Sequence, residues 1–232
     1  MKKLIPILIL LNVIFISCKQ ETKTLTIEPE KAKTIEPKKE SLQITDIDSS
    51  QFPKSLKYEG FIKNAVRWKD KLGDNIVITT ETGSHRNEKF QHEFDDSGDA
   101  ELFAHHFLVK NNQVIQIWKV YDYIDDCPVD IVASFVKNSF KITDLDNNGI
   151  AEIWLMYKIV CHGDVSPCEM KIIMYEGKQK FAMHGENKVQ TGIDDNGEKT
   201  FEGGNYKLDA AFEIGPKVFK DFALNLWNKN II

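Results

Sequence analysis

The sequence predicts a mainly β protein in which antiparallel sheets form a sandwich or a partial propeller-like assembly, followed by a C-terminal helix. Three observations lead there. Apolar residues alternate with polar ones over several runs of six to twelve residues, the period of half-buried strands. Asn, Asp and Gly clusters separate those runs, as hairpins require. Only near the end does the apolar pattern change to a one-faced helical period.

The strand-like runs, in order, are 75–80, 113–123 with its alternating apolar positions, 131–142, 153–160 and 170–175. Turns are expected at Asn111-Asn112, Asn147-Asn148-Gly149, Glu176-Gly177, Asp195-Asn196-Gly197 and Gly203-Gly204. Gly215-Pro216 then opens a helix that carries Val218, Phe219, Phe222, Ala223, Leu226 and Trp227 on one face. Docking of that face on the sheet is the expectation, with a partner-binding face as the alternative. Residues 51–232 contain no long polar interruption, so they are read as a single β-rich globular domain with a sizeable core.

Residues 19–50 read differently. They are rich in Lys, Glu, Thr and Pro and include an approximate internal copy, Thr26-Ile27-Glu28-Pro29 then Thr34-Ile35-Glu36-Pro37. Such a segment buries too little apolar surface to offset the entropy of ordering, so it is a flexible tether that as a coil spans about 30 Å.

Before the tether, Lys2 and Lys3 form a positive region, 4–16 an apolar run short for a bilayer, and Phe15-Ile16-Ser17-Cys18 its end. That tetrad resembles the lipobox of bacterial lipoproteins. The resemblance implies a signal peptide over 1–17, lipidation of Cys18 and a mature chain that begins there. It also implies attachment to the cell-envelope membrane through lipid alone, and Lys19 after the cysteine fits delivery to the outer membrane. Several acyl chains would hold stably, since each buried CH₂ contributes about 0.8 kcal/mol.

Charge excludes one class of partner. Removing 1–17 takes away Lys2 and Lys3 and no acid, which moves the formal charge from −5 to −7. The only arginines are Arg67 and Arg86, so no basic face for nucleic acid is present.

Three cysteines remain in the mature chain, Cys127, Cys161 and Cys168, and an oxidising envelope permits one disulfide among them. Cys161 and Cys168 bracket a loop that would close a hairpin between them, whereas Cys127 reaches Cys161 only through the fold. Sequence leaves the pairing open.

The motif with chemistry in it is Asp144-Leu145-Asp146-Asn147-Asn148-Gly149-Ile150-Ala151-Glu152, between two strand-like runs. Ca²⁺ takes six or more oxygens, and alternate residues of a tight loop can all face one point. The spacing offers Asp144, Asp146 and Asn148 by side chain, Ile150 by its carbonyl and Glu152 directly or through water. Gly149 allows the left-handed turn that brings the ends together. The position of an EF-hand's last ligand is Leu155, inside a strand, so this is not an EF-hand. The loop is similar to the calcium loop of FG-GAP repeats, and the resemblance implies a structural Ca²⁺. The alternative is an Asx-rich turn capped by its own side chains.

Two echoes of the loop occur. Glu93, Asp95, Ser97 and Glu101 repeat the spacing 51 residues upstream (93 against 144), and Asp194-Asp195-Asn196-Gly197 follows 48 residues downstream (194 against 146). They raise a structural period near 50, the basis of the propeller-like alternative.

Catalytic signatures are missing: no Gly-x-Ser-x-Gly, no phosphate loop, and His92-Glu93 is followed by Phe94-Asp95-Asp96 rather than by the spacing of a zinc protease. His105 and His106 are adjacent on a strand and point to opposite faces. Trp68, Trp118 and Trp154 are expected in the core, with a sugar-stacking platform as the alternative.

Finally, Ile142-Thr143-Asp144-Leu145-Asp146, Glu152-Ile153-Trp154-Leu155-Met156-Tyr157, Gly163-Asp164-Val165-Ser166-Pro167 and Met170-Lys171-Ile172-Ile173-Met174-Tyr175-Glu176-Gly177 are together similar to a family of small envelope lipoproteins labelled surface polysaccharide biosynthesis proteins. The resemblance implies an accessory or binding role in surface glycan assembly, with glycans or glycan-assembly proteins as partners. It carries no catalytic residue across. The competing class is an envelope hydrolase acting on glycans through acids that only the fold brings together.

Overall fold

Two open antiparallel sheets lie face to face in the computed structural model, which describes residues 42–232 apart from Asn112. The leader 1–17, Cys18 and the tether up to 41 lie outside the described residues. Among those described, no helix is long and apolar enough to cross a membrane.

The first sheet is a meander of β1 (Thr45–Asp46), β2 (Phe61–Asp70), β3 (Gly73–His85), β4 (Gly98–Lys110) and β5 (Gln113–Cys127), in that order across the sheet. The second runs β13 (Tyr206–Leu208), β10 (Gln179–Glu186), β9 (Glu169–Glu176), β8 (Glu152–Cys161) and β6 (Ile131–Phe135), and β7 (Lys141–Thr143) also pairs with β8. A separate hairpin joins β11 (Lys188–Ile193) to β12 (Lys199–Gly203).

Residue alternation explains the layers. Val66, Trp68, Val77, Leu102, Ala104 and Trp118 of the first sheet meet Ile153, Leu155, Tyr157 and Ile173 of the second in one buried cluster. The opposite face of the first sheet buries Ala65, Ile76, Ile78 and Phe107 under Leu56, Ile47, Phe52 and Tyr58. The opposite face of the second carries Trp154, Met156, Met170, Ile172 and Met174, covered by α1 (Ala210–Ile214) and α2 (Lys217–Asn230). Strands β3, β4 and β8 are thus sandwiched on both faces, which is why their middles are buried residue after residue.

The helix face docks on the sheet through Phe219, Ala223, Leu226 and Trp227, while Val218 stays 36% exposed. Gly215 ends α1 and Pro216 starts α2.

Two details differ from what the sequence predicts, and one open alternative is resolved. The stretch 131–142 is two strands, β6 and β7, both on β8 but with the pairing shifted between them; Asn138, at a left-handed φ of 62°, turns the chain out and buried Ser139 bonds back to Val136 and Met156. Residues 42–50 are not all tether: Thr45 and Asp46 pair with Arg67 and Val66, and Leu42 and Ile47 pack on the core. The architecture is the sandwich, and the three acidic segments are not copies of one unit. They occupy a long connection leading into β4, the loop between β7 and β8, and the tip of the β11–β12 hairpin.

Candidate functional site

The loop between β7 and β8 is shaped by its own polar side chains. Asp146 Oδ1 accepts the N–H of Asn148 at 3.1 Å, Asn148 Oδ1 accepts that of Ile150 at 2.7 Å, and Asp144 Oδ1 accepts that of Gly149 at 3.4 Å. Asn147 and Gly149 both take positive φ, 61° and 81°. At Gly149 any side chain would also meet Lys71, whose Cε lies 2.8 Å from where a Cβ would stand.

This turn brings Asp144, Asp146 and Glu152 together, with a carboxylate oxygen of each within 4.8 Å of the others. Calcium bonds oxygen at about 2.3–2.6 Å, so oxygens on opposite sides of one ion stand up to about 5 Å apart, and the three carboxylates fit around it. Among the described residues they are the one group of three or more His, Cys, Asp or Glu so placed.

Glu152 is fully buried. Its carboxylate accepts the Thr143 hydroxyl at 2.6 Å and the Leu145 N–H at 3.0 Å, and the Trp154 indole N–H donates to the same hydroxyl at 2.8 Å, which leaves its proton for Glu152. Burial, followed by the charges of Asp146 and Asp144, pushes the Glu152 carboxyl above its usual range despite those bonds. Glu176 is raised too, by burial first and then by the same two aspartates. A cation relieves both costs, since it pairs with the charged forms.

Asn148 takes a different place from the one its spacing predicts. Its amide N–H₂ donates to Asp146 Oδ2 at 3.1 Å and to Glu176, so it bridges two acids, and its oxygen faces the Ile150 N–H. Ile150 contributes that N–H to the turn. Glu176, at the end of β9 directly across from Glu152, was not among the expected ligands. The hairpin register around 162–167 was the available signal for it.

The loop is also clasped by the other sheet. Lys71, in the β2–β3 turn, donates its backbone N–H to Gly149 at 2.9 Å and its ammonium to the Asn148 carbonyl. Asp70 accepts the Ala151 N–H at 3.1 Å. An ion held by this loop would therefore fix the contact between the sheets.

The upstream echo is built for something else. Glu101 lies on β4, where it accepts from the Tyr121 hydroxyl at 2.8 Å and Asn87 at 3.1 Å. Ser97 donates to Asp126 at 2.5 Å. Neighbouring Asp99, fully buried, holds the incoming connection: burial raises its carboxyl, but the N–H groups of Asn87 and Asp126 together with His92 outweigh that and keep it below the usual range. The downstream echo is an Asx turn in which Asp194 Oδ1 accepts from Asn196 and Glu198.

Cys127 and Cys161 form the disulfide, with Cα atoms 5.8 Å apart, and Cys168 is free. Ile159 faces Glu169 in the β8–β9 ladder, so continuing the register sets Cys168 opposite Val160, one residue out of step with Cys161. Cys127, closing β5, meets Cys161 from the facing sheet instead.

Trp68, Trp118 and Trp154 are core residues, 2%, 8% and 0% exposed. The exposed aromatics Tyr121 and Tyr123 stack with Phe103 and Phe90 at centroid distances of 4.9–5.2 Å, so they turn edges rather than open faces outward. His105 and His106 do occupy opposite faces, the first near Glu59 and the second between Trp68 and Trp118. His162, Asp164 and Ser166 form a local turn, and the other side of the His162 ring faces the Cys168 thiol, with Nε2 3.8 Å from Sγ.

Neither a family model, nor a curated protein, nor a solved structure matches this chain.

Proposed function

We propose that this is a lipid-anchored protein of the bacterial cell envelope, carried by Cys18 to the outer membrane, that holds a structural Ca²⁺ and serves surface polysaccharide biosynthesis or assembly by binding rather than by catalysis. The observation that carries the calcium part is the convergence of Asp144, Asp146 and buried Glu152 within 4.8 Å. Two independent features support the location: the lipobox-like end of the leader, and the Cys127–Cys161 disulfide, since such bonds persist in oxidising compartments. The glycan role rests on the similarity over residues 141–188.

Asp144, Asp146 and Glu152 would bind the ion by carboxylate, and the ion would supply charge neutralisation and rigidity, not bond-breaking chemistry. Its place in the fold is the seam where the β2–β3 turn grips the loop. Deleting the gene and profiling surface glycans tests the biological role: altered glycan length or amount is expected, and an unchanged profile overturns it.

A further inference from the structure

A cleft of about 860 Å³ opens beside the calcium loop, between residues 42–51, the end of β2 and the loop itself. That volume lies within the range of small-ligand sites. We propose that it binds an uncharged stretch of carbohydrate a few sugar units long. The inference rests on the glycan-binding reading above and names the surface and the ligand class.

Charge balance comes first. Arg67, Lys69 and Lys71 line the cleft, and so do Asp70, Asp74 and Asp144. An anionic ligand would meet three acids there and a cationic one three bases, so neither gains a net attraction. A sugar chain brings hydroxyls that both donate and accept, and it matches interleaved donors and acceptors of this kind.

Hydrogen-bonding capacity lines the cleft. Gln43, Thr45 and Lys69 line the cleft and make no side-chain hydrogen bond or ion pair among the described residues. Arg67 is held rigid by a two-pronged pair with Asp74, at 2.8 and 2.5 Å, and that pair presents a planar donor–acceptor edge suited to neighbouring hydroxyls. Leu42 and Ile47, both half-buried, supply apolar surface for the C–H faces of sugar rings.

Cleavage is not what this site is arranged for. Asp70 already accepts four hydrogen bonds, from Trp68, Leu72, Asn75 and Ala151. Asp74 is held below the usual carboxyl range by Arg67. A glycosidase needs one carboxyl kept protonated beside its partner, and both of these are occupied acceptors. Asp144 belongs both to the cleft wall and to the carboxylate cluster, so calcium shapes one end of the site.

The test screens the full chain, purified in detergent with Ca²⁺, against an array of neutral, uronate-bearing and amino-sugar oligosaccharides, then titrates the best probe by calorimetry. A neutral oligosaccharide is expected to bind, and the Gln43→Ala/Lys69→Ala double variant, whose changes are on exposed side chains, is expected to weaken it about tenfold at an unchanged melting temperature. Thr45→Val provides a second variant with the same expected direction. Absence of binding, a preference for charged sugars, or neutral binding untouched by both variants overturns the cleft assignment. Altered surface glycans on gene deletion alongside that result would leave the broader reading standing, and unchanged glycans would remove both.

Discussion

The Asp70 carboxylate accepts the backbone N–H of Ala151 at 3.1 Å, which fastens the β2–β3 turn of one sheet to the acidic loop of the other. The same carboxylate takes the Trp68 indole at 3.0 Å, the Leu72 N–H at 2.8 Å and the Asn75 amide at 2.9 Å. Because the Asn75 nitrogen is committed to Asp70 and the Gly73 carbonyl, its oxygen is left to accept from His106 Nε2, at 2.8 Å. Asp70 thus stands between the acidic loop and a buried histidine.

Asp70→Ala is expected to destabilise the protein by roughly 2–4 kcal/mol, because it strips four donors of one shared acceptor. Urea denaturation measures the loss. The variant is also expected to show a smaller calcium-dependent gain, since the loop's grip on the facing sheet is gone.

His106 is fully buried, and burial pushes its pKa from 6.5 down to about 4, only partly countered by Asp70. The unfolded chain takes up the proton first, so stability is full above pH 6.5 and falls as pH drops toward 4, by about 3 kcal/mol across the window. Melting curves from pH 7 to 4 are expected to show this decline. His106→Gln is expected to flatten it, and an equally steep decline in that variant would assign the effect elsewhere.

Glu152 shifts the opposite way. Its carboxyl lies above the usual 4.5 through burial and through Asp146 and Asp144, so in metal-free protein the favourable protonated form is present below 4.5 and stability is lost as pH rises through the raised value. Calcium favours the ionised form. The calcium-induced rise in melting temperature is therefore expected to be largest near neutral pH and to shrink on acidification. Glu152→Gln is expected to stabilise the metal-free protein at neutral pH while abolishing the calcium response.

The disulfide joins positions 34 residues apart and ties the end of β5 to the end of β8. Cys127→Ser is expected to cost roughly 2–4 kcal/mol, and Cys168→Ser close to nothing. Urea midpoints for the two variants check this, and similar midpoints would contradict it.

Strands β3, β5, β8 and β9 are readable in the chain from their apolar runs and the turn residues between them, as are the helix face and the acidic loop. Elements were hidden where tertiary contacts override pattern. A register shift between Ile62 and Asn64 breaks the alternation of β2, and Asp99, Glu101, His105 and His106 make β4 look polar although its partners bury them. Glu101 resembled a metal ligand because strand acids paired with Tyr, Asn and His leave no trace in spacing. Glu176 and Asp70 join the site only through sheet pairing and sheet packing. The choice between Cys127 and Cys168 as the partner of Cys161 depends on a one-residue register, and composition carries no record of it.

Calcium binding at Asp144, Asp146 and Glu152 is most directly tested by thermal unfolding of the wild type and of Asp144→Ala, each with EDTA and with millimolar Ca²⁺. A ligand at 100 times its Kd adds about 2.7 kcal/mol, enough to move a melting temperature by several degrees. Calcium binding at this site is expected to show as a wild-type melting temperature that EDTA lowers and added Ca²⁺ restores, with no difference between the two conditions in Asp144→Ala. An identical melting temperature for the wild type in EDTA and in Ca²⁺ would contradict it.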